Sequence, residues 1–217
     1  MAVAIYQVSI FQNRILTWYQ ANGRNFPWRY KSVSNYQIII SEILLQRTKA
    51  ETVANFYHKF FKKYPSWRVL GLASESELQE FLKPIGLNRQ RGSRLFKLAQ
   101  ELKKRNGNLP KTKYEIEELP MMGQYISNAF ELYILKRRAP LLDVNMARLL
   151  ERYFGPRKMA DIRYDQELQK LAHRIVDHPR SKELNWAILD FAAMICRNRN
   201  PSCITCLLYR SCGYSID

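Results

Sequence analysis

Apolar residues recur along most of this 217-residue chain at the three- and four-residue spacing of amphipathic helices. In residues 5–20 they fall on one helical face, and in residues 50–63 that face is largely aromatic. The spacing predicts helices over residues 5–20, 50–63, 67–73, 75–83, 88–105, 113–118, 124–136, 144–154, 164–177 and 183–195. No β-type alternation, heptad run or internal repeat is evident, so the pattern indicates an all-α fold.

Residues 35–46 are nearly all apolar, so this segment fits either a buried strand or a buried helix. Glu42 lies inside the run and a helical segment follows it, which together favour a buried helix. The gaps between predicted helices are short and contain Pro or Gly, as at Pro65, Gly86 and Pro120. No linker separates two independent domains.

The four cysteines of the chain lie close together near its C-terminal end, at Cys196, Cys203, Cys206 and Cys212. Such a cluster of thiols favours a metal or iron–sulfur site over unliganded thiols or two disulfides, and disulfides are the least favoured because no secretory signal indicates an oxidising compartment. No segment approaches the roughly 18 apolar residues of a membrane span. A single Cys-x2-Cys pair flanked by one cysteine on each side suits a four-thiolate cubane better than zinc, although the spacing alone leaves both open.

Lys and Arg number 35 against 19 Asp and Glu, which gives a formal net charge of +16 at pH 7. Charge of this size attracts polyanions. The basic residues, among them Arg89, Arg91 and Arg94, are spread along the chain rather than gathered in a tail, so we expect them on the folded surface. A merely cationic protein is the alternative. Membrane binding is less favoured, because no helix pairs a Lys-rich face with exposed Trp or Phe.

Three further segments carry candidate chemistry. Between the predicted helices 113–118 and 124–136, the turn Leu119-Pro-Met-Met-Gly123 has the layout of a helix-hairpin-helix, whose helix start binds DNA phosphates, although such a turn is often only a turn. Asp143 precedes a helix, where it acts as an N-cap, as a carboxylate aimed at a reacting centre, or as both. Glu42 is a lone acid in an apolar helix, and it is either a paired structural residue or part of a base pocket.

The combination of these segments resembles the helix-hairpin-helix DNA glycosylase superfamily in its iron–sulfur branch, which includes endonuclease III, adenine glycosylases of A·G mismatches and thymine glycosylases of T·G mismatches. The resemblance runs from Phe26-Pro-Trp-Arg29 to Cys212. Its markers are Ser41-Glu-Ile-Leu-Leu-Gln-Arg-Thr48, Ile85-Gly-Leu, Leu119-Pro-x-x-Gly123, Leu142-Asp-Val-Asn145 and the cysteine spacing. The pattern is closest to the T·G thymine glycosylases.

The resemblance implies two all-helical lobes with a catalytic cleft between them. Residues 31–137 would form a six-helix barrel carrying the hairpin, and residues 1–30 with 138–217 would form a lobe holding a [4Fe-4S] cluster on the four cysteines. The expected partner is double-stranded DNA with a mismatched or modified base, bound by a monomer in the cytoplasm near the nucleoid. The DNA-binding residues implied are Met121, Met122, Gly123, Gln124, Arg197 and Arg199.

The resemblance also assigns roles to the cleft residues. Asp143 matches the catalytic aspartate, which stabilises positive charge on the deoxyribose. Tyr125 stands where bifunctional members have the Lys that forms a Schiff base, so it implies a monofunctional enzyme. Glu42 matches an acidic position of the adenine and T·G enzymes. Gln46 and Arg47 match residues inserted where the base has been flipped out.

Two departures from the family pattern stand out. Met121 replaces the first hairpin glycine, so either a positive φ strains the methionine or the turn differs from the family's. Trp186 occupies a position where smaller residues are commoner, and it either reshapes the base pocket or simply packs.

The expected function is hydrolytic excision of T or U opposite G, which Tyr125 and the lack of an additional C-terminal domain favour. The alternatives are adenine removal from A·G or A·8-oxoguanine, excision of a modified cytosine from foreign DNA, and a DNA-binding module without catalysis.

Overall fold

In the computed structural model, which describes residues 4–216, the chain is helical and no β-strand occurs within that range. The helices are α1 (Ile5–Asn22), α2 (Asn35–Leu45), α3 (Ala50–Lys63), α4 (Trp67–Leu70), α5 (Glu75–Phe81), α6 (Asn88–Lys104), α7 (Lys113–Glu117), α8 (Gln124–Tyr133), α9 (Val144–Phe154), α10 (Gln166–Val176), α11 (Ser181–Met194) and α12 (Gly213–Ile216). Short 3-10 helices cover Pro27–Arg29, Lys83–Ile85 and Tyr209–Ser211. The all-α prediction is confirmed. None of the described helices has the length and apolar character needed to cross a bilayer.

The ambiguous apolar segment is the helix α2, and its N-terminus explains why. The Ser34 hydroxyl accepts a hydrogen bond from the Gln37 amide at 3.2 Å, while the Gln37 side chain accepts one from the Ser34 amide at 2.9 Å. This reciprocal cap fixes the first turn of the helix. The buried residues of α2 include polar Ser41 and Glu42 as well as the isoleucines, so the helix is enclosed on most sides.

The chain divides into two compact units, of which one is discontinuous. It contains the residues up to Arg24 together with those from Leu135 onward. Its core joins α1 to α9, α10 and α11, with Phe11 and Ile15 fully buried. A partly buried ion pair of 2.8 Å between Arg24 Nε and Asp190 Oδ1 links the segment after α1 to α11.

The second unit is the continuous segment Asn25–Ile134. Phe56 and Phe60 of α3 and its C-cap residue Tyr64 surround Phe81 of α5, with ring centroids 5.2 to 6.1 Å from that of Phe81. The boundaries expected from the resemblance, 31–137 against the two flanking segments, stay a prediction about domains.

Gly92 allows the close approach of α6 to α5. A Cβ atom built at this position would lie 2.8 Å from the backbone nitrogen of Gln79 and 2.9 Å from its Cα. Backbone atoms cannot move aside cheaply, so we expect Gly92→Ala to lower the free energy of unfolding by about 1–3 kcal/mol. Urea denaturation measures this change.

The matched control is Ser93→Ala, which introduces the same residue at the next position of α6. A destabilisation by Ser93→Ala equal to that by Gly92→Ala would show that helix packing at Gly92 is not the cause.

Candidate functional site

The hairpin turn between α7 and α8 has one strained residue. Met121 adopts φ 67°, in the left-handed region that glycine occupies without strain. Of the two alternatives for this position, the backbone shows the left-handed conformation that strains a methionine. A left-handed conformation costs an L-residue about 1–2 kcal/mol. The turn keeps the glycine-type backbone path despite the side chain.

The hairpin residues differ in what they present to solvent. Met122 is 1% exposed, and its amide donates to the Leu119 carbonyl at 3.1 Å. Met122 therefore supports the turn from inside rather than offering its side chain to DNA. Gly123 and Gln124 are exposed at the start of α8, and a Cβ on Gly123 would meet nothing within 4 Å. A helix start with open space beside it suits a phosphate oxygen.

A pocket of about 220 Å³ lies beside the hairpin in the unit Asn25–Ile134. Its lining is basic and amide-rich and consists of Gln46, Arg47, Leu87, Gln90, Arg91, Arg94 and Met121. The structure thus brings Gln46 and Arg47 together with Met121, three residues that the resemblance implied for DNA contact. Arg47 and Leu87 also adopt positive φ, of 57° and 51°.

Arg91 of this pocket corrects the expectation that the basic residues lie on the surface. Its side chain is 4% exposed, whereas Arg89 and Arg94 on the same helix are exposed. Its guanidinium is enclosed because backbone carbonyls from two turns converge on it. The helical pattern of α6 gave no sign of this, since the acceptors come from elsewhere in the chain.

Glu42 and Tyr125 are in contact. The Tyr125 hydroxyl donates to Glu42 Oε2 at 2.9 Å, across the packed pair α2 and α8. Glu42 is only 3% exposed, so this hydrogen bond reduces the free-energy cost of burying its carboxylate. The two residues that the sequence singled out separately form one polar unit.

Asp143 caps the start of α9. Its Oδ1 accepts hydrogen bonds from the amides of Asn145 and Met146, at 2.9 and 2.8 Å, and its Oδ2 accepts one from the Asn145 side chain at 2.6 Å. Burial of the carboxyl group raises the pKa of Asp143, and these hydrogen bonds with the Arg148 charge only partly oppose the rise. Asp143 is therefore the N-cap of α9, as one of the two interpretations of this residue predicts. Burial makes its carboxyl group harder to ionise than that of an ordinary Asp.

A hydrogen-bonded chain connects Asp143 to the cysteine segment, and the sequence analysis assigned no role to two of its members. Asn145 Oδ1 accepts from Arg148 Nη1 at 3.1 Å, and Arg148 Nε donates to the Cys196 carbonyl at 2.9 Å. Asn145 stood in the Leu142-Asp-Val-Asn motif, and Arg148 follows it at helical i+3 spacing. That spacing is the signal by which the pair could have been found.

The cysteine segment is held by arginines of the same unit. Arg152 Nη1 lies 3.5 Å from Cys196 Sγ and 2.7 Å from the Arg197 carbonyl, and Arg14 Nη1 donates to Ser211 Oγ at 3.0 Å. Arg197 itself is exposed and donates to the Asn200 carbonyl at 2.9 Å, while Arg199 is exposed. The basic side chains expected at a DNA backbone are therefore at the surface here.

The four cysteines are free thiols and half-buried. Burial raises the pKa of the Cys206 thiol; a hydrogen bond with the Leu208 backbone opposes the rise, and the charges of Cys212, Cys196 and Cys203 add to it. In residues 4–216, no three Cys, His, Asp or Glu side chains are grouped so as to hold a metal ion. Four thiols within one short segment are the type of donor that binds an iron–sulfur cluster.

Trp186 of α11 is 9% exposed, and Lys182 Nζ lies 5.2 Å from the centroid of its ring. A role for Trp186 in the base pocket stays a prediction.

The neighbouring Asn185 holds the segment that leads to Asp143, because its Oδ1 accepts from the Leu141 amide at 2.7 Å and its Nδ2 donates to the Ala139 carbonyl at 3.2 Å.

Comparison with known proteins places this geometry in a family. Residues 40–174 match the model of the HhH-GPD superfamily of base excision DNA repair proteins. The chain is 34% identical to a thymine-DNA glycosylase of Aeropyrum pernix, over 96% of this chain and 95% of that protein. It is also 34% identical to a thymine/uracil-DNA glycosylase of Methanothermobacter thermautotrophicus, over 94% and 93% of the two chains.

The fold agrees with a solved structure as well. A thermostable thymine-DNA glycosylase superposes on 97% of this chain and 97% of its own, with a TM-score of 0.89 and 32% sequence identity. The similarity therefore extends over both units.

Proposed function

Because the chain belongs to the HhH-GPD superfamily of base excision DNA repair proteins, we propose that it is a monofunctional DNA glycosylase that removes thymine or uracil opposite guanine. The observation that carries the proposal is the 34% identity over 96% of the chain to a protein named thymine-DNA glycosylase. Action as a monomer on nucleoid DNA in the cytoplasm belongs to the same proposal.

The Asp143 carboxylate has the central part in the reaction. When the target nucleotide has been flipped out, the bond between C1′ and the base nitrogen breaks and the base leaves with the bonding electrons. The ionised carboxylate stabilises the positive charge that develops on the deoxyribose. Water adds its oxygen to C1′ and its released proton neutralises the departed base anion, so that the products are the free base and an abasic site.

Glu42 and Tyr125 act on the base and set the outcome. The hydrogen bond from Tyr125 orients the Glu42 carboxylate, whose other lone pairs accept from the N–H edge of a pyrimidine. Tyr125 has no amine, so it cannot form a Schiff base with C1′. The strand therefore stays intact after base release.

The basic pocket and the hairpin bind the DNA. Gln46 and Arg47 enter the space that the flipped nucleotide has left, and the start of α8 binds a backbone phosphate. Arg197 and Arg199 supply further phosphate contacts next to the cysteines. These contacts position the duplex without reading its sequence.

Cys196, Cys203, Cys206 and Cys212 would hold a [4Fe-4S] cluster. Hydrolysis of a glycosidic bond needs no electron, so the cluster would act as a cross-link that fixes the loop with Arg197 and Arg199. A visible absorbance band and four irons per chain would distinguish it from zinc.

One assay separates the candidate functions. Duplexes containing T·G, U·G, A·G, A·8-oxoguanine or modified cytosines are incubated with the protein, and each is then treated with hot alkali. We expect strand breaks from T·G and U·G after alkali only, and no adduct with borohydride. Release of adenine alone would indicate the adenine glycosylase alternative, and no release from any duplex would contradict glycosylase activity.

The pH dependence follows from the raised pKa of Asp143. Since the ionised form is needed, the single-turnover rate should rise with pH through a value above the ordinary pKa of Asp, about 3.9. Asn145→Ala removes a hydrogen bond that favours the ionised form, so the acidic limb should move to still higher pH.

Glu151→Gln is the control, because Glu151 lies on the same helix and pairs with Arg157 instead. An acidic limb that stays in place in Asn145→Ala, or moves equally in Glu151→Gln, would show that the Asn145 contact does not tune Asp143.

A further inference from the structure

The buried guanidinium of Arg91 bridges two turns of the chain. It donates to the Gln46 carbonyl at 2.8 Å and to Thr48 Oγ1 at 2.7 Å, and also to the carbonyls of Ile85, at 3.1 Å, and Gly86. Among the described residues no carboxylate forms an ion pair with it. The charge is therefore balanced by the dipoles of these acceptors alone.

Both turns follow helices. Gln46 is the C-cap residue of α2, and Gly86 is the C-cap residue of the 3-10 helix Lys83–Ile85. The carbonyl ends of helices carry partial negative charge and favour a cation. Burial lowers the pKa of Arg91, but an arginine stays charged at neutral pH. A buried cation needs its hydrogen bonds, so moving either turn would leave charge without compensation.

The turns that Arg91 joins present two of the three pocket residues with a left-handed backbone, the third being Met121 of the hairpin. Arg47 lies between Gln46 and Thr48, and Leu87 follows Gly86. Both have exposed side chains and left-handed backbones, which persist only where the surroundings hold them. Thr48 adds a direct link, because its hydroxyl lies 3.4 Å from the Ile85 carbonyl.

We propose that Arg91 is a positioning residue for base excision, which holds Arg47 and Leu87 in the orientation they need against DNA at the flipped nucleotide. This role rests on the proposed glycosylase function. Arg91 itself does not contact the DNA in this proposal, because its buried guanidinium donates its hydrogen bonds to the two turns.

The test compares Arg91→Met, Arg91→Lys and Thr48→Val with the contrasting variant Arg94→Met. Arg94 is exposed, lies on the same helix and lines the same pocket. Single-turnover excision from T·G duplex with saturating enzyme is measured beside the affinity for intact duplex. Fluorescence of 2-aminopurine next to the target reports base flipping, and hydrogen exchange reports the amides of residues 46–48 and 85–87.

Arg91→Met should slow excision and flipping by about 100-fold, as expected for misplaced groups, while affinity for intact duplex is unchanged. Arg91→Lys should recover part of the rate, and Thr48→Val should lose less in the same direction. Exchange in both turns should become faster. Arg94→Met should weaken DNA binding without slowing the saturated rate.

An excision rate that is unchanged in folded Arg91→Met, or that falls equally in Arg94→Met, would overturn the positioning role. If Arg91→Met does not fold, the excision rates of Arg91→Lys and Thr48→Val replace it. Rates that are unchanged in both, or that fall no more than in Arg94→Met, then overturn the positioning role. If the wild-type protein excises no base, the proposed function has failed. In that case unchanged exchange in the variants overturns the bridge between the turns as well, and faster exchange supports it.

Discussion

Replacing Asp143 by Asn should reduce base excision at neutral pH by at least about 10²–10³-fold, because the variant loses the negative charge that stabilises the deoxyribose cation. Binding to a T·G duplex should remain. Asn caps helices as well as Asp does, so α9 keeps its first turn. Single-turnover kinetics and a binding titration on the same preparation measure the two effects.

Asp143→Asn should not destabilise the protein, and the direction of its effect on stability follows from the pKa of Asp143. The folded-state pKa of Asp143 lies above its unfolded value, so stability is lost as pH rises through the folded pKa. At neutral pH the ionised carboxylate of Asp143 therefore destabilises the folded state. We expect Asp143→Asn to melt at the same temperature as the wild type or higher.

Asp165 provides the matched control, because it is an N-cap in the same unit with the opposite shift. Its carboxylate accepts hydrogen bonds from the amides of Leu168, Met159 and Lys158, which lower its pKa. Asp165→Asn should therefore melt lower and still excise bases while folded. Full activity in Asp143→Asn, or an equal loss in both variants, would contradict the assignment of Asp143.

Cys206→Ala should abolish the visible absorbance near about 400 nm and the bound iron, and it should lower the free energy of unfolding by about 2–5 kcal/mol, as loss of a native cross-link does. The reason lies in residues 196–212, of which only Leu208 is fully buried. Such a segment has little core of its own to hold it. Iron analysis and thermal unfolding measure both effects.

Ile204→Ala is the control within the same Cys-x2-Cys turn, because Ile204 is 97% exposed. It should keep both the iron and the melting temperature. If the wild-type protein is colourless and contains zinc, the four cysteines hold zinc and not an iron–sulfur cubane. A wild-type protein without metal that melts like Cys206→Ala would remove the cofactor proposal.

The helices could be predicted from the sequence because their apolar spacing and their Pro and Gly boundaries are local properties. The left-handed backbone of Met121 could be expected as well, since the hairpin pattern identifies the position of the missing glycine. The contact of Tyr125 with Glu42 could not be predicted, because it depends on how α2 packs against α8.

Arg91 shows where sequence reasoning ends. Its neighbours Arg89 and Arg94 are surface residues, and nothing in the local sequence distinguishes it from them. Its burial results from two helix ends that meet in space although they are distant along the chain. The pair Asn145 and Arg148 lies between these cases, because the helical spacing was visible but its connection to Cys196 was not.

The discontinuous unit has a consequence for synthesis on the ribosome. Helix α1 is made first, yet its packing partners α9, α10 and α11 are translated only after the whole segment Asn25–Ile134. That segment is continuous, so it can fold while the ribosome is still working. The apolar face of α1 stays uncovered until α9, α10 and α11 have been made. Substitutions that destabilise these three helices should therefore leave newly completed chains prone to chaperone binding and aggregation.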